Sequence, residues 1–267
     1  LEMKFRNRFK FHHLKFSKID KILKNNVDVI IFDLGLSSIQ LKDLKRGFSF
    51  KSKEKLDMTM GFSNISAQDV VNNFSELQLK LIIKILGEEH EASKIAKNIV
   101  KARSKKEITR VDELVKIIEN SKRKNFSSKI NPSTKTFQAL RIFVNKEITE
   151  LIEGIICATK HLKPGGKILI VSFHSIEDKV IKYYFSNFSK NRSKPSRYMP
   201  DIIREDSSIF EKYLNKVYRP SESELRKNNP SRSAKLRFAI RSKNKFIYPA
   251  KLVQKFYKYL NLEALNV

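Results

Sequence analysis

Two short apolar runs set the limits on what this chain can become. VDVIIF, residues 27–32, and KILIVSF, residues 167–173, are rich in β-branched residues, too short for helices and bounded by turn residues. That is the pattern of strands buried on both faces of a parallel sheet. The second run is launched from the turn Lys163-Pro164-Gly165-Gly166, and each run ends in polar residues, Asp33 with Gly35 after the first and His174-Ser175 after the second. Ligands bind outside the carboxyl ends of strands in open α/β sheets, so these two ends are where function is expected.

About a hundred residues of helical periodicity separate the runs, for instance LQLKLIIKIL from Leu77 and ASKIAKNIVKAR from Ala92. A parallel crossover needs far fewer. The economical reading is a helical subdomain inserted after the first strand, with one long helix, FQALRIFVNKEITELIEGIICATKHL, leading back to the second. The chain then divides into residues 1–46, part of the sheet core; 47–133, the helical insertion; and 134–267, the remaining core with a basic C-terminal part. Beyond Ser189 it turns polar (KNRSKPSRYMP, then RPSESELRKNNPSRSAKLR), as expected of a surface excursion that touches a partner. KLRFAIR, residues 235–241, reads as a last strand, and an amphipathic tail follows from Lys251.

Composition narrows the partners. Lys+Arg number 55 against 28 Asp+Glu, a formal net charge of +27, which favours polyanions, although abundant Lys, Ile and Asn also follow from A/T-rich coding. No apolar run approaches the ~18 residues of a membrane span, and the first residues lack the apolar stretch of a secretory signal. The single cysteine, Cys157, sits in an apolar helical stretch and reads as a small buried hydrophobe. With five scattered His and one Cys there is no metal-ligand spacing, so no metal is expected, and the setting is the reducing cytoplasm.

Chemistry concentrates in two constellations. Asp33 with Gly35, Ser37, Ser38 and Gln40 puts a carboxylate at a strand end beside hydroxyl and amide groups, which suits the orientation of an amine. Asp33 would serve equally as the cap of a turn. Ser172-Phe173-His174-Ser175-Ile176-Glu177-Asp178 gathers an aromatic, an imidazole and two acids at the other strand end, but also reads as a helix N-terminus with acids against its dipole. A third feature is negative: with 7 Gly and only Gly165 and Gly166 adjacent, there is no G-x-G-x-x-G turn after a strand.

Taken in order, DLGLSSIQL, RGFSF at Arg46 to Phe50, LDMTM from Leu56, GEEHEASKIAKNIVKAR, PSTKTFQALRIFVNKEI, LKPGGKILIVSFHSIEDKVIK and NPSRSAKLR resemble the motifs of the MraW/RsmH family. Members of that family are S-adenosylmethionine-dependent methyltransferases that modify N4 of a cytidine in small-subunit (16S) ribosomal RNA. The resemblance runs nearly end to end. It implies a class I Rossmann-like α/β sheet with an inserted helical subdomain that binds substrate. It also implies truncation at the N-terminus, because the family's A-T-L-G-G-G-G-H-S loop and D-x-D-P motif have no counterpart. A strand near Phe9 to Phe16 is expected as well.

Carried over position by position, the family's cofactor contacts fall on Phe16, Asp33 and Gln40, with Asp33 also positioning the target amine and His174 shaping the base pocket. RNA contacts are expected from Phe173, with Phe48 and Phe50 as further stacking candidates, and from Arg192, Arg197, Arg232 and Lys235 at phosphates. The sequence departs from the family at Ile39 for Pro, Lys42 for Asp, Thr59 for Arg, Gly61 for Asp and His90 for Arg. The competing readings are a non-catalytic RNA-binding relative, which would keep the basic surface without transfer, and peripheral membrane binding through the basic tail. Dimerisation is left open.

Overall fold

A computed structural model describes residues 8–24, 26–37, 43–122, 131–190, 208–211 and 213–265. Among them a three-stranded sheet runs in the order β1 (Val27–Asp33), β2 (Leu162–Ser172), β3 (Lys235–Ile240). β1 and β2 are parallel, from Val29 opposite Lys167 to Asp33 opposite Val171, and β3 closes antiparallel on β2 with Lys235 opposite Ser172. The turn Lys163 to Gly166 appears as an irregularity within β2, between the pairs made by Val27 and Val29.

β1 is buried on one face only. Ile30 and Phe32 point into the core, whereas Val29 and Ile31 on the opposite face are 51% and 67% exposed. The sequence predicts burial on both faces. One face is covered by a helix, and among the described residues nothing covers the other.

Four helices lie between β1 and the return to the sheet: α1 (Ala67–Asn73), α2 (Glu76–Leu86), α3 (Ala92–Arg103) and α4 (Val111–Ser121). Their boundaries are written locally. Ser66 with Asp69, and Ser75 with Gln78, form reciprocal capping boxes that satisfy the first N–H groups of α1 and α2. Apolar residues three and four apart, Leu79, Ile82, Ile83 and Leu86 on α2, are fully buried.

The expected long return helix is two helices, α5 (Thr134–Asn145) and α6 (Glu147–Lys160), broken at Lys146, which sits in the left-handed region at φ 52. Such a conformation is uncommon for a residue with a side chain and ends the i→i−4 ladder. The expected strand near Phe9 to Phe16 is also absent. Those described residues form irregular backbone, followed by a 3-10 turn, Phe16–Lys21, that packs on α6 rather than pairing with β1. Gly154 on α6 makes room for it, since a Cβ there would lie 2.5 Å from the Phe16 ring. Phe16 meets Phe32 edge-on at 5.4 Å between centroids, which anchors this segment to β1.

α7 (Ser175–Asn187) follows β2, and after α8 (Glu222–Lys227) and β3 the chain ends its described part with α9 (Ala250–Glu263). Arg237 on β3 donates from Nε to Asp178 Oδ1 at 2.7 Å and from Nη1 to the Tyr213 hydroxyl at 2.8 Å, fastening β3 to α7. The polar stretch beyond Ser189 is not all surface: Ile209, Phe210 and Tyr213 are buried, and Phe210 meets Tyr184 and Phe185 edge-on. A run of Lys, Arg and Ser hid a small aromatic anchor.

Candidate functional site

Asp33 ends β1 with its side chain exposed, and the next residue ties back to the sheet through Leu34 N–H to Val171 O at 3.1 Å. Gly35 then turns the backbone at φ +94, close enough to Phe173 that a Cβ would sit 3.0 Å from its ring. Among the described residues Asp33 makes no hydrogen bond or ion pair, so its carboxylate is not spent on capping a turn.

A cleft of about 310 Å³ opens beside it. Leu14, Lys15 and Phe16 form one wall, Met60, Phe62 and Ser63 another, and Asn145, Glu147, Glu150 and Glu177 complete it. Four carboxylates therefore line this cleft in a chain of net charge +27.

Two of the four are paired with cations, one outside the cleft and one on its wall. Arg141 clamps Glu147 with two parallel bonds, Nε to Oε1 at 2.7 Å and Nη2 to Oε2 at 2.9 Å, and Lys15 lies 3.2 Å from Glu150. Glu177 is buried, and its carboxylate accepts from the Phe173 and His174 N–H groups at 2.8 and 3.3 Å. Burial works to raise its pKa, but His174, the Phe173 N–H and Arg141 outweigh it and hold Glu177 below the usual carboxylate range.

His174 is the N-cap of α7: its Nδ1 accepts from Glu177 N–H at 3.4 Å, leaving Nε2 3.2 Å from Glu177 Oε1 and 4.0 Å from Glu147 Oε2. The imidazole is 6% exposed, so it braces the acids and does not open into solvent. Glu147, His174 and Glu177 are spaced closely enough to suggest a metal site. The Arg141 guanidinium already neutralises Glu147, and a divalent cation would have to sit against that fixed positive charge.

Two polar anchors set the cleft walls. Asn145 spends its amide fully, accepting from Met60 N–H at 2.8 Å and the Ser63 hydroxyl at 3.1 Å, and donating to Met58 O and Arg141 O. Glu88, itself at φ 49, accepts from the Ser175 hydroxyl and the Lys179 ammonium and so ties the α2–α3 connection to the start of α7. Its pKa is lowered: burial opposes, but Lys179 and Ser175 prevail.

Of the residues expected from sequence, Phe16 and Asp33 meet at this cleft, His174 lies behind it and Phe173 packs half-buried under Gly35. Gln40, Arg192 and Arg197, like Ser38, lie outside the described residues. Arg232 is exposed, whereas Lys235 is ion-paired with Asp178 at 3.1 Å. Phe48 is buried, which makes it a core residue, and Phe50 is half-buried against Phe137. Sequence reasoning missed Asn145, Arg141, Glu147, Glu150 and Glu88. The first four straddle the break at Lys146, where helical spacing no longer tells which side chains face each other.

A larger groove, about 740 Å³, lies between α6 and α9 and shares no residue with the cleft. Its lining is mainly apolar and includes Ile152, Ile156, Val253 and Leu260. Cys157 is half-buried here, and burial pushes its thiol up, away from reactivity.

A mixed sheet whose parallel pair ends beside an acid-lined cleft defines an α/β protein with a cleft at its strand carboxyl ends, the place where open α/β sheets take ligands. The model of the MraW methylase family matches residues 2–242, and the chain belongs to that family. It is 42% identical over 235 residues to a protein of Bartonella bacilliformis named ribosomal RNA small subunit methyltransferase H, covering 88% of this chain and 70% of that one. Proteins of the same name from Ehrlichia canis and Caulobacter vibrioides are 42% and 37% identical, over 89% and 88% of this chain and 78% and 76% of theirs. Among the described residues no helix is long and apolar enough to cross a membrane.

Proposed function

We propose that this chain acts in transferring a methyl group from S-adenosylmethionine to N4 of a cytidine in small-subunit ribosomal RNA, in the cytoplasm. The observation that carries this reading is the unpaired Asp33 carboxylate at the mouth of an acid-lined cleft, on a chain that is otherwise strongly basic. The bound cofactor would supply an electrophilic methyl group on a cationic sulfonium. The cleft suits the sulfonium and adenine parts: its acids favour a cation, and Phe16, at the wall, offers a half-exposed ring. Gln40 would add an amide contact.

The cytosine amine is a poor nucleophile because its lone pair is shared with the ring. A carboxylate that accepts an N–H bond from it restores electron density to the nitrogen and fixes its direction, and Asp33 is placed for both tasks. Glu147, Glu177 and His174, locked to each other and to Arg141, keep the floor rigid beneath it. Phe173 and the helical region, residues 47–133, would shape the path of the RNA, with Arg192, Arg197 and Arg232 at phosphates.

The test is to incubate the chain with methyl-labelled S-adenosylmethionine and small-subunit RNA, then digest the RNA to nucleosides. Label in N4-methylcytidine is expected; label in another nucleoside would overturn the assignment. The second reading, a non-catalytic RNA-binding protein, draws on the net charge of +27 alone. It predicts RNA binding with no transfer, and that result would put it in place of the first.

A further inference from the structure

A second groove, of about 660 Å³, runs between α7 and α9, apart from both the cleft and the apolar groove. Lys179, Lys182, Tyr183 and Ser186 lie on one face of α7 at the i, i+3, i+4, i+7 spacing, and Lys255 and Lys258 face them from α9. No acidic side chain lines this groove. Lys179 is held by Glu88, but Lys182, Lys255 and Lys258 are exposed and have no acidic partner among the described residues. The Lys255 ammonium lies 5.9 Å from the centre of the Tyr183 ring and the Lys258 ammonium 4.7 Å from that of Tyr259, so two of these cations are steered over aromatic faces while their side chains stay exposed.

Three exposed ammonium groups without an acidic partner among the described residues match a polyanion better than they match an apolar partner. The outward face of α9 argues against a lipid surface: Lys251, Gln254, Lys255, Lys258 and Asn261 are all exposed, with Tyr257 the lone aromatic among them. Membrane-lying helices need a sustained apolar face. α7 also connects the groove to the cleft, because His174 and Glu177 at its first turn brace the cleft and Lys182 follows within two turns.

We propose that the α7–α9 groove binds the sugar-phosphate backbone of the RNA strand that flanks the nucleotide held at the cleft. This rests on the RNA reading above. The experiment measures binding of a small-subunit RNA fragment by filter retention across a salt series, and so does not depend on methyl transfer. It compares the unaltered chain with Lys182→Gln/Lys255→Gln/Lys258→Gln and with a charge-matched control triple outside the cleft and the helical region, Lys21→Gln/Lys24→Gln/Lys160→Gln, all three exposed. Circular dichroism melting shows that all three are folded.

The groove triple is expected to flatten the log–log salt slope by ~2, about 0.7 per lost phosphate contact, and to weaken low-salt binding at least ~10-fold, with the control triple changing the slope by less than ~0.5. Equal effects from the two triples would mean that only total charge matters, and would overturn the groove. So would an unchanged slope in the groove triple, or RNA binding unchanged while retention on phosphatidylserine vesicles is lost. If the unaltered chain itself shows no salt-dependent RNA binding, the RNA reading fails first and the groove assignment falls with it.

Discussion

The helices of residues 67–121 and strand β1 come from neighbouring stretches of one chain and end in different states. Each helix finds partners nearby: α2 packs on α3 and α5, α3 on α4, and their apolar stripes are fully buried. β1 finds β2 only after the chain has passed through six helices, and still leaves Val29 and Ile31 exposed on one face. A helix satisfies its own backbone and needs only one covered stripe, whereas a parallel strand depends on distant segments for both edges and both faces.

The sharpest contrast between the two regions is in what truncation costs. Leu79→Ala, at a fully buried position on α2, is expected to lower unfolding stability by ~2–5 kcal/mol in urea titrations. A loss below ~1 kcal/mol would show that the helical region is loosely packed and erase the contrast.

The next effect concerns the helix that covers the buried face of β1. Glu263 on α9 accepts from the Ile148 and Thr149 N–H groups at 3.1 and 2.8 Å and from the Thr149 hydroxyl at 2.6 Å, capping the start of α6 beside Glu147. Burial raises its pKa from 4.5 to about 7, with Glu147 adding a smaller push. The folded chain thus keeps a proton that the unfolded chain has lost, so stability falls as pH rises from about 4.5 to about 7 and levels off above. The loss is on the order of 3 kcal/mol, and Glu263→Gln should abolish it. Hydrogen exchange locates the effect: α6 protection should decline across this window more than α3 protection, and an equal decline would mean that the two regions unfold as one unit.

The smallest effect is expected at the open face. Ile31→Thr should change stability by less than ~0.5 kcal/mol in the same urea titrations, because the side chain is already in water. A cost of ~2 kcal/mol would show that Ile31 is covered in solution.

The same contrast explains what was legible in the sequence. Asp33 and His174 could be picked out because short β-branched runs announce strands and polar residues directly after them announce a site. The helices of residues 67–121 could be placed from periodicity. The break at Lys146 was invisible, since nothing in KEITE marks a left-handed lysine, and with it went the Arg141–Glu147 clamp. Phe16 was identified through its family motif as part of a strand; Gly154, more than a hundred residues later, provides the gap that lets it pack as a 3-10 turn. Ile209 and Phe210 were hidden because two apolar residues in a polar stretch show no period, and only the aromatic neighbours on α7 give them a place.

The central claim is that the unpaired carboxylate at the end of β1 directs methyl transfer. Its most direct test is single-turnover transfer to small-subunit RNA at saturating S-adenosylmethionine, comparing the unaltered chain with Asp33→Asn, which keeps the shape and removes the charge. The account predicts a loss of ~10²–10⁴-fold in transfer rate, the range of positioned acid–base groups, with RNA binding unchanged. Transfer by Asp33→Asn at the unaltered rate would contradict it.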